Sequence, residues 1–107
     1  MKVINRIKKS DDFGTAINKG KLFRLPSFKV YTLKNDFGYT RIGISVSSKI
    51  GCAVVRNRIK RQVRAICDEL IKYDTRSLDI VIIVRRKFLE FDFNENKSQI
   101  CDYVKGL

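Results

Sequence analysis

The chain of 107 residues has no histidine and no tryptophan, and it has only one proline and three cysteines. Without histidine it lacks the commonest general base, and neither a Ser-His nor a Cys-His nucleophile can be assembled. Cys52, Cys67 and Cys101 are odd in number and widely spaced. No C-x-x-C pair and no histidine is available to complete a zinc site, so reduced, partly buried thiols are expected and no metal ligands. Long apolar runs are missing too. The longest, Ile80 to Val84, falls far short of the roughly 20 residues a membrane-spanning helix needs. The opening Met1-Lys2-Val3-Ile4-Asn5-Arg6 lacks the apolar stretch of a secretory signal, so the expected location is the cytoplasm, with no membrane partner.

Acid is scarce as well. Eleven Asp and Glu face 23 Lys and Arg, a net charge of +12. A positive field of that size over a small surface favours polyanions, either nucleic acid or an anionic membrane, and composition alone does not choose between them. The scattered acids form no evident metal-ligand motif, so a metal-dependent nuclease site on the protein itself has no support.

What is present suffices for one domain, residues 1–107, with one modest core. Ser10 is a candidate cap for a helix carrying Asp11 and Asp12 in its first turn, with Phe13, Ala16 and Ile17 on one face and Gly20 as its stop. Lys21 to Arg24 reads as a short strand ended by Pro26, and Phe28 to Lys34 as a longer one rich in β-branched and aromatic residues. The turn residues Asn35-Asp36-Phe37-Gly38 join Phe28–Lys34 to the alternating Thr40 to Ser47, and these two segments are expected to form an antiparallel pair with one apolar face. From about Cys52 to Lys72, Val55, Ile59, Val63, Ile66 and Leu70 recur at helical spacing. Leu78 to Val84 has the unbroken apolar pattern of a strand buried on both faces and leads into Arg85-Arg86-Lys87. Asp92 and Glu95 resemble a capping box for a last helix carrying Ile100 and Val104. The expected fold is α+β, a two-layer sandwich of about four strands in a mixed sheet with three helices.

The central helix concentrates the charge. Arg56, Arg58, Lys60, Arg61 and Arg64 fall within nine residues with no acid among them. At 100° per residue, Asn57, Arg61 and Arg64 lie roughly opposite the apolar stripe with Lys60 beside them, and Arg56 and Arg58 flank the stripe. Arginine suits contact with RNA, because its planar fork engages two phosphate oxygens and stacks on bases. Asn57 either adds a hydrogen bond to RNA or bonds its own backbone. An uncompensated cluster of this kind on an ordered helix points to an anionic partner rather than to solubility alone.

In this stretch Gly51, Ala53, Val54, Arg56, Asn57, Arg58, Lys60, Arg61 and Arg64 match the signature of the bacterial ribonuclease P protein family, which the chain closely resembles. The likeness extends to Arg6-Ile7-Lys8-Lys9, Phe13, Tyr31, the Arg41 to Ser47 run and Asp79-Ile80-Val81, and so covers nearly the whole chain. It implies a left-handed crossover around the signature helix, which periodicity does not reveal. It also implies two RNA-facing surfaces. Arg56, Asn57, Arg58, Lys60, Arg61 and Arg64 would meet the catalytic RNA. A cleft with Phe13, Ile17 and Tyr31, and Lys9 at its edge, would take the single-stranded 5′ leader of precursor tRNA, because every base has a face that stacks on an aromatic ring. From the residues alone, Phe13 and Ile17 are as readily core packing as a ligand site, and Tyr31 is either a sheet-packing residue or a stacking platform.

The implied activity is endonucleolytic removal of the leader by a ribonucleoprotein. Catalysis would reside in the RNA, magnesium ions would be held mainly by that RNA, and the protein would contribute no catalytic residue, cofactor or metal ligand of its own. The expected partners are the ribonuclease P RNA and precursor tRNA, with no obligate protein partner. Two residues depart from the family pattern: Cys52 stands where Asn is frequent, and Ile17 where many members carry a second Phe, which would weaken leader stacking. The competing readings are a ribosomal protein or RNA chaperone without associated catalysis, and a nuclease acting alone.

Overall fold

A computed structural model describes residues 1–107. Three helices, α1 (Ser10–Lys19), α2 (Ala53–Leu70) and α3 (Phe93–Lys105), accompany four strands, β1 (Lys21–Arg24), β2 (Phe28–Lys34), β3 (Arg41–Val46) and β4 (Leu78–Val84). Short 3₁₀ turns occupy Val3–Asn5 and Arg86–Glu90. The α+β class, the mixed sheet and the element order agree with the sequence reading.

The expected pairing of β2 with β3 does not form. The sheet order is β1-β2-β4-β3, with β4 antiparallel to β2 (Phe28↔Val84) and parallel to β3 (Arg41↔Asp79). The cause lies in β4 itself, whose Ile80, Val81, Ile82 and Val84 are buried. A strand apolar on both sides belongs in the interior of a sheet. Joining β3 to a parallel neighbour then requires a crossover, and α2 supplies it.

One face of the sheet carries the main core. Phe28, Val30, Ile42, Val46, Ile80, Ile82 and Val84 meet Ile59, Val63, Ile66 and Cys67 of α2 and Ile100 and Tyr103 of α3. At roughly 25 cal/mol per Å² of apolar surface removed from water, this cluster is the main source of stability. Helix α3 starts on the expected capping box: the Glu95 N–H donates to the Asp92 carboxylate at 2.8 Å, and the Asp92 N–H donates to Glu95 Oε1 at 3.0 Å.

Helix α1 lies on the opposite face, where Ile7, Ala16 and Val81 form a small separate cluster with Phe13, Tyr31 and Ile83 against it. Ser10 is the first helical residue and not the cap; Lys9 takes the cap position and no side chain bonds the free N–H groups. Gly20 ends α1 in an extended conformation. It is glycine because a Cβ there would meet the Ala16 carbonyl oxygen at 2.3 Å and that of Thr32 at 3.1 Å.

Candidate nucleic-acid interface

The stripe that seats α2 on the sheet also aims its charges. Ile59, Val63 and Ile66 are buried, and Asn57, Arg58 and Arg61 are consequently exposed. None of Arg56, Arg58, Lys60, Arg61 and Arg64 is ion-paired; the acids farther along α2 are engaged elsewhere, Asp68 with the amino-terminal ammonium at 2.8 Å and Glu69 with Lys97. Four of the five cations lie in the first half of α2 and Arg64 follows just beyond it, on a helix with no acid in its first turn and no base in its last. This is the reverse of what the helix dipole favours, since its N-terminal end is already positive. Local stability does not explain such an arrangement, whereas an anion over this end of the helix would relieve it.

Lys60 and Arg64 do not stand as freely as helical geometry suggests. Both are half-buried and line a groove of about 320 Å³ with Met1, Arg6, Ile7, Lys8, Phe13, Ile42 and Ile44. The groove exists because the N-terminal segment crosses the free edge of β3, where the Ile7 N–H donates to the Ile42 carbonyl at 2.9 Å and Arg6 bridges to Ile42. Four cations and no acid line it. Arg56 turns back toward the protein, and its Nε is buried without a hydrogen-bond partner.

The cleft candidates separate into wall and floor. The Phe13 ring packs against Gly43 of β3, where a Cβ would approach ring carbons at 2.6 and 2.7 Å; a side chain at 43 would displace the ring. Phe13 and Tyr31 are both half-buried against the Ile7, Ala16 and Val81 cluster, so they pack and remain accessible. Ile17, one turn after Phe13 on α1, is 36% exposed and is the least covered of the three. Lys9 is exposed at the start of α1 but does not line the groove; Lys8 does.

Cross-strand register shows what the helix leaves uncovered. One row across the sheet reads Leu22, Tyr31, Val81, Gly43, and the next reads Arg24, Lys29, Ile83, Ser45. Phe13 sits over Gly43 in the first row, whereas Arg24 and Ser45 in the second are exposed and Lys29 and Ile83 half-exposed. Lys29 and Ile83 thus extend the floor beyond Tyr31. Both escaped the sequence reading, although alternation on a strand places Lys29 on the same face as Tyr31. Arg6 and Lys8 escaped it as well, because no local pattern shows where an irregular N-terminal segment will lie. Beyond the strand ends, Arg85, Arg86 and Lys87 are exposed; Arg85 donates to the Leu25 carbonyl at 3.2 Å and Arg86 to that of Lys49 at 3.0 Å.

A largely buried ion pair joins β3 to β4 and extends to α1 through a longer, partly exposed contact. Arg41 donates to both carboxylate oxygens of Asp79, at 2.8 and 2.6 Å, reaches Asp12 of α1 at 3.4 Å, and lies 4.3 Å from the centre of the Phe37 ring. Asn35 donates to Asp79 at 2.8 Å. The hydrogen bonds to Asp79 hold the Arg41 pKa above its ordinary value. Cys52, at the cap position of α2, is exposed; Cys67 is buried and Cys101 half-buried, and all three are free. No group of three or more Cys, Asp or Glu side chains is placed to hold a metal ion, and no helix is long and apolar enough to cross a membrane.

The ribonuclease P family model matches residues 1–107. The chain is 45% identical over 106 residues to the ribonuclease P protein component of Bacillus cereus, covering 98% of this chain and 92% of that protein. To its counterpart in Mesoplasma florum it is 43% identical over 99 residues, with 92% and 90% covered. The ribonuclease P protein of Staphylococcus aureus superposes with a TM-score of 0.82 at 33% identity, over 95% of this chain and 93% of that one. That of Thermotoga maritima superposes with a TM-score of 0.81 at 31% identity, over 95% and 96%.

Proposed function

The chain belongs to the ribonuclease P protein family, and from that membership we propose how its surfaces serve the enzyme. It is a subunit of the endoribonuclease that matures the 5′ end of tRNA. In our reading Arg56, Asn57, Arg58, Lys60, Arg61 and Arg64 bind the catalytic RNA. Phe13, Tyr31 and Ile17, with Lys9 near the entrance and Lys29 and Ile83 extending the floor, hold the single-stranded leader of precursor tRNA in the cytoplasm. The observation that carries this reading is the cation-rich, acid-free first half of α2 joined to Phe13 by one basic groove. The groove that joins the two is lined by four cations and no acid.

The division of labour follows from the side chains. The chain offers no imidazole and no gathered ligand set, so its residues bind, orient and neutralise phosphate charge. Magnesium, held mainly by the RNA, would supply the activated water that cleaves the phosphodiester. By bringing the leader and the RNA under one positive field, the protein lowers the magnesium needed for tight substrate binding.

Reconstitution tests the proposal. Purified protein alone should leave precursor tRNA intact, and adding it to a bacterial ribonuclease P RNA at low magnesium should raise 5′ cleavage well above that of the RNA alone. Processing by RNA-free protein, or no stimulation of the RNA, would refute it.

A further inference from the structure

Between α2 and the 3₁₀ turn at Arg86–Glu90 lies a second groove, which borders the basic ridge at Arg58 and is distinct from the groove at Phe13. It has a volume of about 440 Å³ and is lined by Ile50, Val55, Arg58, Ile59, Gln62, Phe88, Leu89 and Phe91. From its shape and chemistry we infer that this groove receives one unpaired nucleobase of the RNA partner. The inference rests on the reading that α2 faces that RNA.

The walls are apolar and held in place before any ligand arrives. Phe88 is only 4% exposed and packs edge-on against Phe28, with ring centres 5.7 Å apart, so it forms a fixed floor. Leu89 is 54% exposed beside it. The bond from Arg86 to the Lys49 carbonyl, 3.0 Å long, ties the 3₁₀ turn to the segment that carries Ile50. Two polar side chains stand on the α2 side, Arg58 and Gln62, one helical turn apart. Arg58 has no ion pair. Of the two glutamines, Gln99 bonds Ser27, whereas the Gln62 amide has no partner inside the protein. Glu90 and Asp92 lie on the same connection, but neither lines the groove, and Asp92 is engaged in capping α3.

This combination distinguishes among ligands. A phosphate would need converging cations, and the groove offers one. An apolar side chain from another protein would gain nothing from an unpartnered amide and a guanidinium. A nucleobase uses all three features: a flat apolar body for Val55, Leu89 and Phe91, a face for the Arg58 plane, and an edge with donor and acceptor for the Gln62 amide. Arg58 also belongs to the basic ridge, so a base unstacked from an RNA lying on α2 is delivered to the mouth of the groove.

The test compares Leu89→Ala and Gln62→Ala with the parent and with Arg61→Ala, each bound to a bacterial ribonuclease P RNA over a range of salt. Loss of apolar contact from Leu89 or of an edge contact from Gln62 should raise Kd about five- to tenfold at every salt concentration. The log-log salt slope should stay unchanged, because neither variant removes a charge. Base-directed chemical probing of the complexes should find one unpaired base protected by the parent and exposed by both variants. Gln62 lies on a helix surface and its replacement keeps the core intact, so the test stands even if Leu89→Ala melts early. Unchanged affinity with Gln62→Ala, or no protected unpaired base, overturns the inference while Arg61→Ala still weakens binding. If Arg61→Ala also binds normally, α2 does not face the RNA and both readings fall. If Leu89→Ala alters only the sedimentation of the free protein, the groove is a protein contact and the inference is wrong.

Discussion

Phe13 serves as both packing residue and candidate ligand contact, and its replacement separates the two roles. The ring rests on Gly43 and Ile7 and also lines the basic groove. Phe13→Ala and Tyr31→Ala should weaken binding of precursor tRNA to the assembled holoenzyme by about 1–3 kcal/mol for each stacked base lost. Mature tRNA, which has no leader, should bind the variants as it binds the parent. An equal loss on both ligands, with the variants folded by circular dichroism, would assign the rings to packing alone. The cysteines permit a second check at this scale. Backbone N–H groups of Val55 and Val54 hold the Cys52 thiol below its ordinary pKa, whereas burial pushes Cys67 up to about 12. A thiol-directed reagent near neutral pH should therefore modify Cys52 first and leave Cys67 untouched until the protein unfolds. Mass spectrometry of partially labelled protein reads the order, and early labelling of Cys67 would contradict the placement of α2.

Helix α2 is where charge and packing are most clearly divided. Arg61 projects from it into solvent, and Arg64 is half-buried at the basic groove. Arg61→Ala and Arg64→Ala should each weaken RNA binding and reduce the salt slope by about one, since each removes a phosphate contact and the counterion it releases. The two should differ on substrate. Arg64→Ala, which alters a residue lining the same groove as Phe13, should also reduce the preference for precursor over mature tRNA, and Arg61→Ala should not. Filter binding across a salt series measures both effects. A lowered melting temperature with unchanged binding would make the ridge a structural feature.

Across the whole molecule, burial of tyrosine and thiol groups sets an alkaline limit on stability. Burial pushes Tyr103 from 10.0 to about 12 and Cys67 from 9.0 to about 12. Tyr73, desolvated and donating to Asp68 at 2.8 Å, is raised as well. All three hold their protons more tightly in the folded state than in the unfolded chain, so stability is full below the unfolded values and falls as pH rises through and above them. The melting temperature should decline between about pH 9 and 11, the window opened by the unfolded thiol and phenol values. Tyr103→Phe should make that decline shallower. A flat thermal profile to pH 11 would show that these groups are not buried as described.

Residues close in sequence determined much of this protein. The Asp92–Glu95 cap, the stripe on α2, the apolar run of β4 and the cluster from Arg56 to Arg64 express short-range periodicity or spacing, and their physical meaning is the same wherever the segment lies. The sequence reading also placed Phe13 and Tyr31 together, a pairing that rested on family resemblance, and the structure brings them to one cluster. Contacts between distant segments were decided only in three dimensions. Insertion of β4 between β2 and β3 minimises exposure of a strand apolar on both faces, and no local pattern at Thr40 to Ser47 announces it. The path of Met1–Lys8 across β3 turns Lys60 and Arg64 from a free ridge into the wall of a groove. The Arg86–Lys49 contact, between residues 37 apart in sequence, ties the 3₁₀ turn in place beside α2. Spacing along the chain predicts which face of an element a residue occupies; which elements then meet is settled by the burial of apolar surface across the whole fold.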